Sequence, residues 1–206
     1  MAFMTELDVV NDCLSTLGEL PVNALDDDHN LIAAARRAFR TCNVREQAKD
    51  WWFNREIITL VRDVDDYIWT PADAIRCDPI NKHLNLIQRG RRFYDPQNAT
   101  YKMLNESVTC WLVRQIPYED LPPSAQVLIN ISTSLKFMSA YDADSTKYRQ
   151  LVADYQEAYS TMNSEHIRNS DNNLLEKHDT LRTLSRIRGY RNGRLLTPPY
   201  TGFEQG

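Results

Sequence analysis

Leu7, Val10, Leu14 and Leu17 recur at spacings of three and four, the pattern of one apolar stripe on a helix running from about Thr5 to Leu17. Thr5 is placed to cap it, and Asp8 stands where a capping-box partner belongs. Gly18 supplies the stop, and Pro21 follows at the distance expected after a helix end. A second helix is predicted from about Asn30 to Lys49, with Leu31, Ala35, Ala38, Cys42 and Val44 on its buried side. Asp26, Asp27 and Asp28 precede it as an expected N-terminal cap and dipole partner. Their start resembles a calcium loop, but Leu31 stands where that loop needs glycine and Arg37 where it needs glutamate. Arg36, Arg37, Arg40 and Arg45 make the rest of this helix basic, as a solvated face or a contact with an acidic neighbour.

The period changes at Trp51-Trp52-Phe53-Asn54. Three consecutive aromatics cannot share one helix face. In an extended chain Trp51 and Phe53 point one way and Trp52 the other. The expectation is that Trp51, Trp52 and Phe53 form a structural joint that pins the helices to a sheet, with ordinary core packing as the plainer reading. From there to Pro117 the chain reads as strands and loops. Ile57 to Val61 is a β-type run, and Asp63, Asp65 and Asp66 mark a turn before Tyr67-Ile68-Trp69. Leu84 to Gln88 and Arg92 to Tyr94 flank Arg89-Gly90-Arg91 as a hairpin with Gly90 at positive φ. Asp95-Pro96-Gln97-Asn98 is a further turn. Tyr101 to Leu104 and Val108 to Val113 complete an expected meander, and the last run, apolar on both faces, belongs at its centre.

Helical periodicity returns after Asp120-Leu121-Pro122, with Pro123 or Ser124 opening the first turn. Val127, Leu128, Ile131, Leu135 and Met138 form a broad stripe. Beyond a break near Asp142-Ala143-Asp144, Tyr148, Val152, Tyr155, Tyr159 and Met162 recur at four and three, which predicts core packing with the tyrosine hydroxyls at the rim. After Thr180 the pattern ends. Arg182, Arg186, Arg188, Arg191 and Arg194 stand among glycines and prolines with Glu204 as the only acid, the composition of an extended arm that orders on binding. Its charge suits an acidic groove on another protein or DNA phosphate.

At 206 residues, 42% hydrophobic and 25% charged, the chain has an ordinary globular composition. A net charge of −4 and a pI near 5.6 argue against a general nucleic-acid binder. No apolar run approaches a membrane span, and no secretory signal is read at the start. Cys13, Cys42, Cys77 and Cys110 stand apart in apolar surroundings and read as reduced core residues of a cytosolic protein. His29, His83, His166 and His178 are scattered; there is no His-Glu-x-x-His, no glycine-rich phosphate loop and no Gly-x-Ser-x-Gly elbow. The sequence therefore nominates no catalytic residue, no cofactor site and no metal site.

The segments Val10-Asn11-Asp12-Cys13-Leu14, Leu17-Gly18-Glu19-Leu20-Pro21-Val22, Trp51-Trp52-Phe53-Asn54, Arg89-Gly90-Arg91-Arg92-Phe93-Tyr94-Asp95 and Tyr118-Glu119-Asp120-Leu121-Pro122 occur in that order. In this the chain resembles the tail tubular protein A family of T7-like short-tailed bacteriophages, the tail adaptor or gatekeeper proteins, over roughly residues 5 to 165. The resemblance implies a structural virion protein and not an enzyme. It implies a dodecameric homo-oligomeric ring between the portal protein and the tail nozzle (tail tubular protein B), with DNA passing through without specific binding. It also implies a virion-tail location, with host cytoplasm during assembly, and an arm that embraces the portal through Arg182, Arg186, Arg188, Arg191 and Arg194.

The expected architecture is α+β. An antiparallel bundle of about four helices from both chain ends (5–50 and 122–179) carries an inserted antiparallel β-rich subdomain (51–121). Residues 1–179 form one adaptor domain and 180–206 an extended arm. Two alternatives stand beside this reading: a DNA-binding protein that uses the same arginine-rich arm, and a carbohydrate-cleaving tail component, permitted by the scattered carboxylates.

Overall fold

In the computed structural model, which describes residues 4–81, 83–141 and 144–170, Thr5 caps the first helix as its position predicts. Its hydroxyl accepts from the Asp8 N–H, and the Asp8 carboxylate accepts from the Thr5 N–H at 2.8 Å, so helix α1 (Glu6–Thr16) opens on a complete capping box. Gly18, at φ 80°, closes it. Glu19 N–H donates to the Leu14 carbonyl and Gly18 N–H to that of Ser15, a Schellman ending that requires a residue comfortable in the left-handed region.

Helix α2 (Ile32–Gln47) starts differently from expectation. Its N-cap is Leu31, with no side-chain cap, and the acidic triplet does not cap it. The Asp27 carboxylate instead accepts from the Asn23 and Ala24 N–H groups at 2.8 and 3.0 Å, closing the preceding loop. The buried face also differs: Val44 is 38% exposed, whereas Ile32, Phe39, Asn43, Glu46 and Gln47 join Ala35, Ala38 and Cys42 inside.

The aromatic stretch is a turn, not an extended segment. Asp50 takes a left-handed conformation (φ 68°) and ends α2. Asn54 then closes the turn, its N–H on the Trp51 carbonyl at 3.3 Å and its Oδ1 accepting from the Trp51 N–H at 3.0 Å. Strand β1 (Arg55–Val61) follows directly.

The β-rich segment is not a meander. Strand β5 (Ser107–Arg114) lies at the centre of a three-stranded antiparallel sheet, between β1 and β2 (Ala74–Pro79). Its two-faced apolarity correctly marks that central place. β2 has little strand signature of its own, being short, bulged between Ala74 and Arg76, and ended by Pro79; pairing with β5 makes it a strand. Residues 101–104, expected as a strand, are irregular. Strands β3 (Ile87–Arg89) and β4 (Arg92–Tyr94) form the predicted hairpin around Gly90 at φ 61°. Isolated bridges from Arg62 to Ile68 and from Trp69 to Arg92 carry pairing from β1 towards β4. On the other side, the Gln88 side chain accepts from the Cys77 N–H of β2 at 2.7 Å. The segment thus curls around one core of Ile68, Cys77, Phe93, Met103, Val108, Cys110 and Leu112.

A 3-10 turn (Tyr118–Asp120) leads to α3 (Pro123–Met138), with Pro123 in the first turn as predicted. Leu128 and Met138 are buried, but Val127 is exposed and Ile131 and Leu135 are half-buried. The inner face is completed by Ala125, Gln126, Ile129, Ser132, Thr133, Ser134 and Phe137. Helix α4 (Ser145–Asn169) is the largest departure. Asp144 accepts from the Thr146 N–H at its start, yet Met162 is its one buried residue among those described; Tyr148 and Tyr159 are exposed, and Val152 and Tyr155 half-buried. Two helical clusters result, one around Val10, Leu14, Ala35 and Phe137, the other around Phe39, Trp51, Leu128 and Met162. Among the described residues, four helices with antiparallel sheets make this an α+β fold, as expected.

The chain divides into two units, Met1–His166 and Ile167–Gly206, and of the second the structure describes residues 167–170. The arm, 180–206, with Arg182, Arg186, Arg188, Arg191 and Arg194, lies outside the described residues.

Candidate assembly interface

The last turn of α2 continues the buried phase of the helix but changes its chemistry from apolar to polar: Asn43, Glu46 and Gln47 are all buried. Buried polar groups require partners, and these three find them within α2, at Ile116, and on α3 and α4. Gln47 Nε2 donates to Asn43 Oδ1 and to the Ile116 carbonyl, while its Oε1 accepts from the Ile116 N–H at 2.8 Å, so one side chain holds that backbone in both directions. Asn54 Nδ2 donates to the carbonyls of Gln47 (2.8 Å) and Arg114 (3.1 Å), and the Asn54 carbonyl accepts from the Arg114 N–H. The link from helices to sheet therefore runs through Gln47, Asn54 and the chain around Arg114. Asp50 adds ion pairs to Arg55 on β1 and Arg76 on β2.

Trp51, Trp52 and Phe53 all pack in the helical cluster and none in the sheet core. Trp51 donates its indole N–H to the Glu46 carbonyl at 2.8 Å and meets Tyr159 and His166 edge-on. Trp52 N–H donates to His166 Nδ1 at 3.1 Å. The two tryptophans thus bind the end of α2 to α4, with Phe53 packed edge-on against Trp52.

Glu46 Oε1 accepts from Ser132 on α3, and Tyr155 on α4 donates its hydroxyl to the same carboxylate. Lys49 and Arg45 supply the compensating charge. Burial works against the Lys49 ammonium, but hydrogen bonds to Glu46 and Tyr155 outweigh it and hold its pKa above the ordinary lysine value. The remaining basic residues of α2 divide: Arg36 pairs with Glu6, whereas Arg37 and Arg40 face solvent.

Several surfaces among the described residues remain open on one copy. The outer sheet face carries Ile57 (56% exposed) and Val61 (70%), with the Arg55 guanidinium stacked 4.0 Å over Trp111. The β1–β5 register turns the backbone groups of Ile57 and Thr59 away from β5, and no described residue pairs with them. Val64, at 99%, tops the adjoining turn. Along the helices, a groove of about 430 Å³ lies between α3 and α4, with Val127, Ile131 and Ala158 as its apolar floor and Asp154 and Glu157 at its rim.

Among the described residues no group of three or more His, Cys, Asp or Glu side chains is placed to hold a metal ion. The four cysteines are free and buried; burial pushes the Cys13 thiol up to about 12, well away from a reactive thiolate. No described helix is long and apolar enough to cross a membrane.

A family model described as tail tubular protein matches residues 7–183. The chain belongs to the tail tubular protein family. It is a structural protein of the bacteriophage tail, located in the virion tail and assembled there with other tail components. This family speaks for a structural role over an enzymatic one. No curated protein matches the chain.

The residues that tie this tail tubular fold together, Gln47, Asn54 and Glu46, are polar, and apolar periodicity does not nominate them. For Gln47 and Glu46 the signal is the phase of α2: Ala35, Ala38, Phe39, Cys42, Asn43, Glu46 and Gln47 lie on one face, so the polar members inherit the buried side.

Proposed function

We propose that this tail tubular protein is the tail adaptor, a homo-oligomeric ring between the portal protein and the tail nozzle through which DNA passes. The surfaces that one copy leaves unsatisfied support this reading most directly. Ile57 and Val61 are apolar and exposed on a strand with outward backbone donors and acceptors, a combination that isolated proteins usually avoid. In a ring each such surface meets a different surface of the next copy, and every contact already made raises the effective concentration of the next. Helices build the ring, the β-rich segment faces the nozzle or a neighbour, and assembly takes place in the host cytoplasm. The arm docks on the portal through Arg182, Arg186, Arg188, Arg191 and Arg194.

Electron microscopy of the purified protein, alone and with portal protein, tests the reading. Rings in either sample support it, and rings only with portal indicate assembly on a template. Absence of rings and of co-sedimentation with portal overturns it. Removal of the residues after Thr180 is expected to abolish co-sedimentation; unchanged binding assigns the portal contact elsewhere.

A further inference from the structure

Four arginines of the β-rich segment face carboxylates: Arg55 pairs with Asp50, Arg62 with Asp66, Arg76 with Asp50 and Asp78, and Arg114 with Glu56 and Asp73. The three at the β3–β4 hairpin, Arg89, Arg91 and Arg92, pair with none among the described residues. They lie within four positions of one another, and Arg89 and Arg92 are cross-strand partners on the same face. Unlike the surface charges of a solvated helix, two of the three, Arg89 and Arg92, are held in place. The Arg89 guanidinium stacks 3.7 Å over Tyr94. Arg92 sits among three rings, 5.2 Å from Tyr67 and from Trp69 and 4.7 Å from Tyr101. Thr70 N–H donates to the Arg91 carbonyl at 3.0 Å and pins the turn itself. Nearby acids are engaged elsewhere: Asp63 by Tyr67, Asp65 and Trp69, Asp95 by Gln97 and Asn98.

We propose that this hairpin is a sequence-independent contact for the phosphate backbone of DNA. A guanidinium stacked on a ring keeps its in-plane N–H edge free, the edge that matches phosphate oxygens in bidentate fashion. Holding the charges on rings lowers the ordering cost of binding. Two exposed apolar side chains, Ile87 and Trp69, border the arginines, so the choice of partner rests on the charges. Isolated exposed ion pairs with a protein are worth little, whereas each phosphate neutralised on a polyanion releases counterions. The hairpin therefore fits a polyanion better than an acidic protein patch. The placement of this contact inside a tail channel rests on the adaptor reading; the chemistry of the contact does not.

Fluorescence anisotropy of the full-length protein with a short duplex DNA, over a series of salt concentrations, is the test. Three variants are compared: R89Q/R91Q, R89K/R91K, and a protein with the five arm arginines changed to glutamine. Arg92 is left alone because it packs the three rings. For R89Q/R91Q the slope of log K against log salt is expected to shrink by about 1.8, at about 0.9 for each phosphate that is no longer neutralised. R89K/R91K, which keeps the charge, is expected to retain most of the slope and to answer the question should the glutamine variant fold poorly. The arm variant is expected to leave the hairpin's share of the slope in place. Wild-type affinity and slope in R89Q/R91Q overturn the proposal. So does loss of portal binding or self-assembly in that variant with DNA binding intact, which makes the hairpin a protein contact. Electron microscopy with portal reads the adaptor assignment independently, so either can fail alone.

Discussion

Asn54 is a single side chain with obligations to three backbone segments. It accepts from Trp51 and donates to the carbonyls of Gln47 and Arg114 while almost fully buried. Asn54→Ala strands those groups out of water, and the expected cost is on the order of 3 kcal/mol, read as a lower urea midpoint at unchanged m. Burial also ranks the tryptophans. Trp51, at 4% exposed, is expected to lose about 3–5 kcal/mol on mutation to alanine, and half-buried Trp52 distinctly less. Equal losses in the same urea experiment would mean that Trp52 carries more of the α2–α4 contact than its exposure indicates. Two turn carboxylates add a pH dependence. Asp63 is held below the usual range first by the Tyr67 N–H, and Asp95 first by the Asn98 side chain. Folded values below the unfolded value of about 3.9 make their stabilisation complete above that pH and lost as pH falls through the folded values. The acid limb of stability below about pH 4 is thus expected to flatten in Asp95→Asn, as followed by urea unfolding at several pH values.

Elements with their own local signals are legible in the sequence. α1 is readable because cap, stripe and stop agree, and β5 because its apolarity on both faces demands two neighbours. The Gly90 hairpin is readable because only a residue at ease with positive φ fits its turn. β2 and α4 are not, for one physical reason: partners, not local pattern, decide them. β2 is a strand because β5 pairs with it. α4 has the cleanest periodicity in the chain, yet periodicity states that one face is apolar and not that anything covers it. With Met162 its one described buried residue, α4 is held chiefly by Trp51 against Tyr159 and His166, by the Trp52 N–H on His166, and by the Tyr155 hydroxyl on Glu46. Hydrogen exchange is expected to show α4 opening at lower free energy than α2 or α3, and Tyr155→Phe to widen that gap. Exchange of all three in one cooperative unit would contradict this.

At the scale of the whole molecule, family membership is legible from the order of short motifs, while the assembly surfaces are not. A sequence marks Ile57 and Val61 as strand residues but does not say that their face lies outward; the register against β5 does. Ile57→Lys with Val61→Lys is expected to leave the monomer's unfolding free energy within about 0.5 kcal/mol, as for exposed sites, and to suppress ring formation in electron microscopy. Unchanged rings would place the subunit boundary elsewhere, the α3–α4 groove being another open apolar surface among the described residues.

Asn54 and Arg114 share one rung of the ladder, the N–H of the second on the carbonyl of the first. The chain therefore departs from the helices and returns to them at neighbouring points, with a whole core of its own folded between. For evolution such a segment is a cassette: a recombination that exchanges everything between the two residues alters the outward tip without asking the helices to repack. A phage can in this way keep one set of helices and exchange the β-rich piece alone.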